Sequence, residues 1–252
     1  MDNSGAIVGP LMASGILFFL PKDNPVLQYK IIFWVATVPA VIGVLTIIFF
    51  LKEAKSQKSF TVSKISLKQL PRNYSFFLII VAVFTLGNST DSLLIVRTSE
   101  TGISPSLVPL IYMLFNTVSV LLAIPFGKLS DKIGRAKLIT AGFIVYSFVY
   151  FMFGASSQIL VYIAMFGMYG VYSALTDTCQ KALVSDLIPN EMKGTGYGLY
   201  HAVLGIMLLP ASVIAGYLYD RVSPGAPFYF GSVMSLIAAA LMIMFLFVNK
   251  KA

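Results

Sequence analysis

Charged residues in this chain fall in clusters, and long apolar runs lie between the clusters. Uncharged stretches cover 3–21, 31–51, 73–90, 101–127, 138–176, 194–219 and 222–249. A helix needs about 20 predominantly apolar residues to cross a hydrocarbon core about 30 Å thick, where it must satisfy its own backbone polar groups. Five of these stretches hold one such helix each. The stretch 73–90 becomes long enough only if its helix carries Asp91 into the membrane. The stretch 138–176 is too long for one crossing, and Gly154-Ala155-Ser156-Ser157 divides it into two. The pattern predicts an all-α membrane protein of about eight spans, at 4–20, 30–51, 74–96, 105–126, 138–154, 159–181, 195–219 and 228–248.

Composition points the same way. Hydrophobic residues make up 58% of the chain and charged residues 11%, against roughly 45–50% and 25% in soluble domains. The single cysteine, Cys179, excludes a disulfide framework and a cysteine metal cluster. With one histidine and few acids inside the spans, there is no nucleophile–base pair and no metal-ligand set. No phosphate-binding G-x-x-x-x-G-K-[ST] loop occurs, so ATP-driven pumping is not supported. The expectation is a protein that is not an enzyme and that needs no metal or cofactor.

The formal charge of +8 would suit a nucleic-acid partner, but the placement of the basic residues excludes that reading. With eight spans both termini lie on one side of the bilayer. If that side is the cytoplasm, 14 of the 18 basic residues lie inside, and only Lys22, Lys30, Arg97 and Arg221 lie outside. Basic loops resist translocation, so this bias favours cytoplasmic termini in a cell (plasma or inner) membrane. The longest connection, 52–73, is polar and rich in lysine. It separates two spans (1–51) from a block of six (74–252), and six-helix halves with 3+3 repeats are a recurrent transporter plan.

The fourth and fifth spans are joined by Gly127-Lys128-Leu129-Ser130-Asp131-Lys132-Ile133-Gly134-Arg135-Ala136-Lys137. This resembles the signature loop of the major facilitator superfamily, G-x-L-S-D-[RK]-x-G-R-[RK]-[RK]. Gly127, Leu129, Ser130, Asp131, Lys132, Gly134, Arg135 and Lys137 match, and Ala136 departs by replacing a basic residue. The glycines suit a tight turn and close helix approach. Asp131 is suited to receive the positive end of a neighbouring helix, and Arg135 with the lysines would anchor the loop on the cytoplasmic side.

In that family the loop follows the second and the eighth helix. Here four spans follow it, so the resemblance places the first span at the family's fifth helix and implies four N-terminal helices missing from this chain. The opening fits: Gly5, Gly9 and Pro10 resemble the G-x-x-x-G-P pattern of exporter-type fifth helices, with Ala13-Ser14 in place of a glycine pair. The same residues also read as a generic small-residue packing face with a proline kink. A third likeness is Asp186-x-x-Pro189-x-Glu191-x-Lys193-Gly194-x-x-x-Gly198, which resembles the family's approach to its eleventh helix.

Ionisable groups inside a span cost about 2.5–3.5 kcal/mol on insertion scales, which makes each a functional candidate. Asp91 stands about 25 Å along the third span, with Asn88 one turn back on the same face and Thr90 adjacent. It reads either as a proton carrier or as an acid near the outer headgroups satisfied by Asn88. Asp177 and Lys181 are spaced for an i,i+4 ion pair near the inner end of the sixth span, a structural reading set against a proton or substrate site. His201, beside Tyr197 and Tyr200, is a packed hydrogen-bonding residue or a coupling group. Tyr112, Asn116, Tyr172, Gln180 and Tyr200 are polar groups within spans, some of which should line a central cavity.

The resemblance implies a secondary transporter in the bilayer that moves a small organic solute (drug, siderophore or metabolite) by alternating access, with protons as coupling ion and export as the direction. The alternative is a shortened, non-transporting fragment of such a transporter, since only two spans of the first half are present.

Overall fold

In the computed structural model the described residues are 2–19, 25–50, 70–88, 91–104 and 107–249. The helices are α1 (Asp2–Phe19), α2 (Pro25–Phe50), α3 (Arg72–Gly87), α4 (Asp91–Ser99), α5 (Val108–Ile133), α6 (Arg135–Ala155), α7 (Ile159–Leu187), α8 (Lys193–Arg221) and α9 (Ala226–Asn249). Seven segments are long and apolar enough to cross a membrane, counting 72–99 as one span, and the N-terminal helix adds a shorter apolar one. The chain is an all-α membrane protein of about eight helices. Of the connection expected at 52–73, residues 52–69 lie outside the described residues.

Two departures from the sequence expectation have physical causes. The third span is not one helix over 74–96. It stops at Gly87, where the Asn88 N–H closes α3 on the carbonyls of Phe84 and Thr85, and the chain is helical again over Asp91–Ser99. The local sequence Asn88-Ser89-Thr90-Asp91-Ser92 explains the break, because short polar side chains compete for backbone hydrogen bonds and disfavour a helix interior. Ser89 and Thr90 lie outside the described residues. The second departure is length. The fourth span runs 108–133 instead of 105–126, the fifth 135–155 instead of 138–154, and the sixth 159–187 instead of 159–181. Charges end an apolar run but not a helix. A 29-residue helix such as α7 is about 44 Å long, well beyond a ~30 Å core.

Helix α6 is the packing centre, lying against α7 on one side and α9 on the other. Helix α5 packs on α7, α3 on α8 and α9, and α1 on α5. The core is aromatic: Phe84 stacks on Phe143, Tyr146 on Tyr150, and Phe153 on Tyr162. Small residues set the crossings, as association in lipid depends on close packing and interhelical hydrogen bonds. A Cβ on Gly170 would meet the Phe115 carbonyl at 2.6 Å, and one on Gly231 would meet the Gly87 carbonyl at 2.5 Å. Between α6 and α9, Ser147 donates to the Ser232 carbonyl (3.0 Å) and Ser232 donates to the Ser147 carbonyl (2.9 Å). Helix α2 presents Phe33, Trp34 and Phe49 outward, each at least 73% exposed.

Candidate functional site

Asp91 opens α4 beside the break in its span. The Tyr169 hydroxyl of α7 donates to its carboxylate at 2.8 Å and the Tyr112 hydroxyl of α5 at 3.1 Å. On the other side of the break, the Tyr146 hydroxyl of α6 donates to the Asn88 side-chain oxygen at 3.1 Å. The interruption therefore converts one apolar helix into two polar ends, and tyrosines from three neighbouring helices face them. The break also overturns the expected stacking of Asn88 and Asp91 on one helical face. Among the described residues, no basic side chain pairs with Asp91. Asn116 extends the polar face of α5, donating to the Tyr112 carbonyl at 3.1 Å.

A cavity of about 630 Å³ lies next to this group, walled by Gly9, Pro10 and Ala13 of α1, Ile95 of α4, and Val108 and Tyr112 of α5. Gly5 falls in the first turns of α1, where only the backbone path is described. The end of α4 is tied to its surroundings. Arg97 pairs with Glu100 at 2.7 Å and donates to the Ser156 carbonyl, and Tyr219 of α8 donates to Glu100.

Toward the other end of α5 and α7 lies a second cleft, of about 380 Å³. The Ser119 and Ser173 hydroxyls meet across it at 3.0 Å, and Ser173 is also placed to donate to Asp177 at 2.5 Å. Lys181 lines the same cleft, yet the expected ion pair with Asp177 is not formed. Gln180 is turned away from the cleft and accepts from the Tyr200 hydroxyl at 2.8 Å, a buried link between α7 and α8. His201 is exposed, with the edge of the adjoining Tyr200 ring against it. Tyr172 is buried among Phe84, Tyr146 and Tyr169.

The loop expected at 127–137 is reduced to a one-residue joint. Helix α5 continues to Ile133, and Gly134, at φ +99°, turns the chain directly into α6. That backbone conformation strains any residue with a side chain. Gly127 instead sits inside α5 with open space around it, so it mediates no close approach. Ser130 donates back to the Gly127 carbonyl at 2.7 Å. Arg135 donates to the Ala182 carbonyl at 2.7 Å and pairs with Asp186, both on the extended end of α7. Asp131, expected to face the start of a neighbouring helix, has Arg135 as its ion-pair partner at 3.8 Å. Leu129, Lys132 and Lys137 are exposed.

The pattern 186–198 is also built into a contact. Pro189 precedes a short 3₁₀ turn (Asn190–Met192), and α8 starts at Lys193. Gly196 lies so close to Ile188 that a Cβ would stand 1.9 Å from its Cδ1, and its carbonyl accepts the buried Tyr74 hydroxyl at 2.8 Å.

The family model of the Major Facilitator Superfamily matches residues 76–252, which contain both of these motifs. The chain belongs to the Major Facilitator Superfamily. Among its relatives, an uncharacterized MFS-type transporter of Methanocaldococcus jannaschii is 37% identical over 251 residues, covering 96% of this chain and 61% of that protein. The riboflavin transporter RibZ of Clostridioides difficile is 30% identical over 54% of this chain and 29% of its own length. The quinolone resistance protein NorA of Staphylococcus aureus is 26% identical over 54% of this chain and 35% of its own. The chain thus spans less than two thirds of the length of these superfamily relatives.

Sequence reasoning reached Asp91, Asn88 and Tyr112, and the structure brings the first and third into contact. It missed Tyr146 and Tyr169, whose spacing resembles any aromatic core. It also missed Ser119 and Ser173. A signal for Ser173 was present, since Tyr169, Ser173, Asp177 and Lys181 recur every four residues and so share one face of α7.

Proposed function

We propose that these residues form the C-terminal six-helix half (74–252) and the last two helices of the N-terminal half (1–51) of a secondary transporter. It exports a small organic solute across the cell membrane by alternating access, in exchange for protons, with both termini in the cytoplasm. The observation that carries this reading is the Asp91 carboxylate at an interrupted membrane helix, held by tyrosine hydroxyls and, among the described residues, not paired with a basic side chain. An acid retained at such a cost belongs to a transport or proton pathway by default, and broken helices are where transporters place such sites. Relatives named for riboflavin transport and quinolone resistance support an organic solute. The signature joint, with Arg135 bridging α5–α6 to α7, serves as the cytoplasmic latch.

The test is solute flux in inside-out vesicles with an imposed proton gradient, for Asp91→Asn against the unsubstituted protein. Gradient-driven flux should fall at least about tenfold in Asp91→Asn, the range typical of losing a positioned proton carrier, while solute binding persists. Undiminished gradient-driven flux in Asp91→Asn would remove Asp91 from the mechanism. A second reading is favoured by length: the chain covers 61% of its archaeal relative, and transport then belongs to a longer polypeptide of which this is a part. Flux from the 252-residue chain alone would sink that reading.

A further inference from the structure

We propose that the cleft between α5 and α7 is a binding site for a small zwitterion, with Asp177 taking its ammonium group and Lys181 its carboxylate. This names a substrate class within the transporter reading above, and rests on it.

An expected ion pair fails to form. Asp177 and Lys181 stand one turn apart on α7, in the order that favours a mutual ion pair. Yet among the described residues no carboxylate lies within ion-pair distance of the Lys181 ammonium, and the Asp177 carboxylate takes the Ser173 hydroxyl instead. Two opposite charges thus stand side by side on one face of α7, near enough to attract but not joined in a direct ion pair.

The two charges also share an open space. Both residues are exposed, and both line the same 380 Å³ cleft with Ser119, Ser173, Thr178 and Ala123. That volume lies at the lower end of small-molecule sites. The small side chains Ser119 and Ala123 on α5, and Ser173 on α7, leave the room, and the hydroxyls supply neutral donors and acceptors. Gly170, one turn back on α7, lets the two helices approach closely enough for Ser119 and Ser173 to meet.

Their spacing suits a short ligand. Four residues on a helix rise about 6 Å, so the two charges suit a ligand whose ammonium and carboxylate are a few ångströms apart, as in an amino acid. A simple cation would leave Lys181 uncompensated beside it, and a simple anion would do the same to Asp177. A dipolar ligand answers both groups at once.

The experiment is equilibrium binding to the full chain in lipid nanodiscs, and so is independent of flux. The probes are leucine and 5-aminovalerate as zwitterions, with isoamylamine and isocaproate as the single-charge counterparts of leucine. The expected result is that at least one zwitterion outbinds both single-charge probes by at least about tenfold, the effect of one charge-assisted contact. Lys181→Gln should erase the preference for the zwitterion over isoamylamine. Asp177→Asn should erase the preference over isocaproate. Both variants should keep the unsubstituted melting profile to within a few degrees. Equal weak binding of all four probes would overturn the proposal, as would a preference that survives both substitutions. So would a preference lost only together with the fold, which the melting profile and the charge-swapped pair Asp177→Lys/Lys181→Asp would reveal. Failure here would leave the transporter reading untouched, because proton-driven flux through Asp91 is measured separately.

Discussion

Single contacts decide whether the polar groups around Asp91 and Ser173 form. Asp91 is held by hydroxyls from α5 and α7, and Ser119 reaches Ser173 only because α5 and α7 touch at Gly170. A methyl group there would meet the Phe115 carbonyl at 2.6 Å and the Val118 Cβ at 2.8 Å. Both are too close for a side chain to be accommodated without moving a helix. Gly170→Ala should therefore destabilise the fold by about 1–3 kcal/mol, the usual cost of overpacking, as read from thermal unfolding in detergent. Gly127→Ala serves as the control, because open space surrounds that glycine within α5, and its stability should be unchanged or raised by up to about 1 kcal/mol, the helix-propensity gain of Ala over Gly. The contrast separates two glycines that the sequence presents alike.

At the scale of elements, the helices are joined by polar clasps as much as by apolar surface. In lipid the hydrophobic effect does not drive helices together, so packing and hydrogen bonds carry the association. The reciprocal Ser147–Ser232 pair clamps α6 to α9 within a buried contact. A double-mutant cycle on Ser147→Ala and Ser232→Ala should give a coupling of about 0.6 kcal/mol and no more than about 1.7 kcal/mol, the range found for hydrogen bonds between membrane helices. The measurement is unfolding in mixed micelles. A coupling indistinguishable from zero would mean that close packing alone holds this crossing. The extended ends of α5 and α7 act at the same scale. By running past the apolar limit they bring Asp131 and Asp186 to Arg135 at the start of α6.

For the whole molecule the testable quantity is orientation. The proposed topology puts the Gly134 joint on the cytoplasmic side and the α6–α7 turn on the other. In a Cys179→Ser background, which removes the buried native thiol, a cysteine at Lys132 should react with a membrane-impermeant thiol reagent in inside-out vesicles and not in intact cells. A cysteine at Ser157 should behave oppositely. Both sites are exposed, so accessibility to reagent depends on side alone. Labelling of Lys132→Cys from outside would invert the topology, and with it the direction assigned to transport.

What the sequence determined by itself was everything that depends on where chain leaves lipid for water. A run of some 20 apolar residues has one stable form in a bilayer, so the number of spans, the helical class and the family motif at 127–137 were legible without coordinates. Helix ends were not, because charge marks the edge of the hydrocarbon while hydrogen bonding continues past it, as α7 does to Leu187. The break at Asn88 was half legible: its polar residues stood in the sequence, but the apolar flanks argued for continuity. The partners of Asp91 and the separation of Asp177 from Lys181 were decided only by tertiary structure. A residue's helical phase says which face it occupies, whereas which neighbour meets that face depends on crossings set by contacts such as Gly170 against Phe115. Those contacts join residues far apart in the chain, and local pattern carries no record of them.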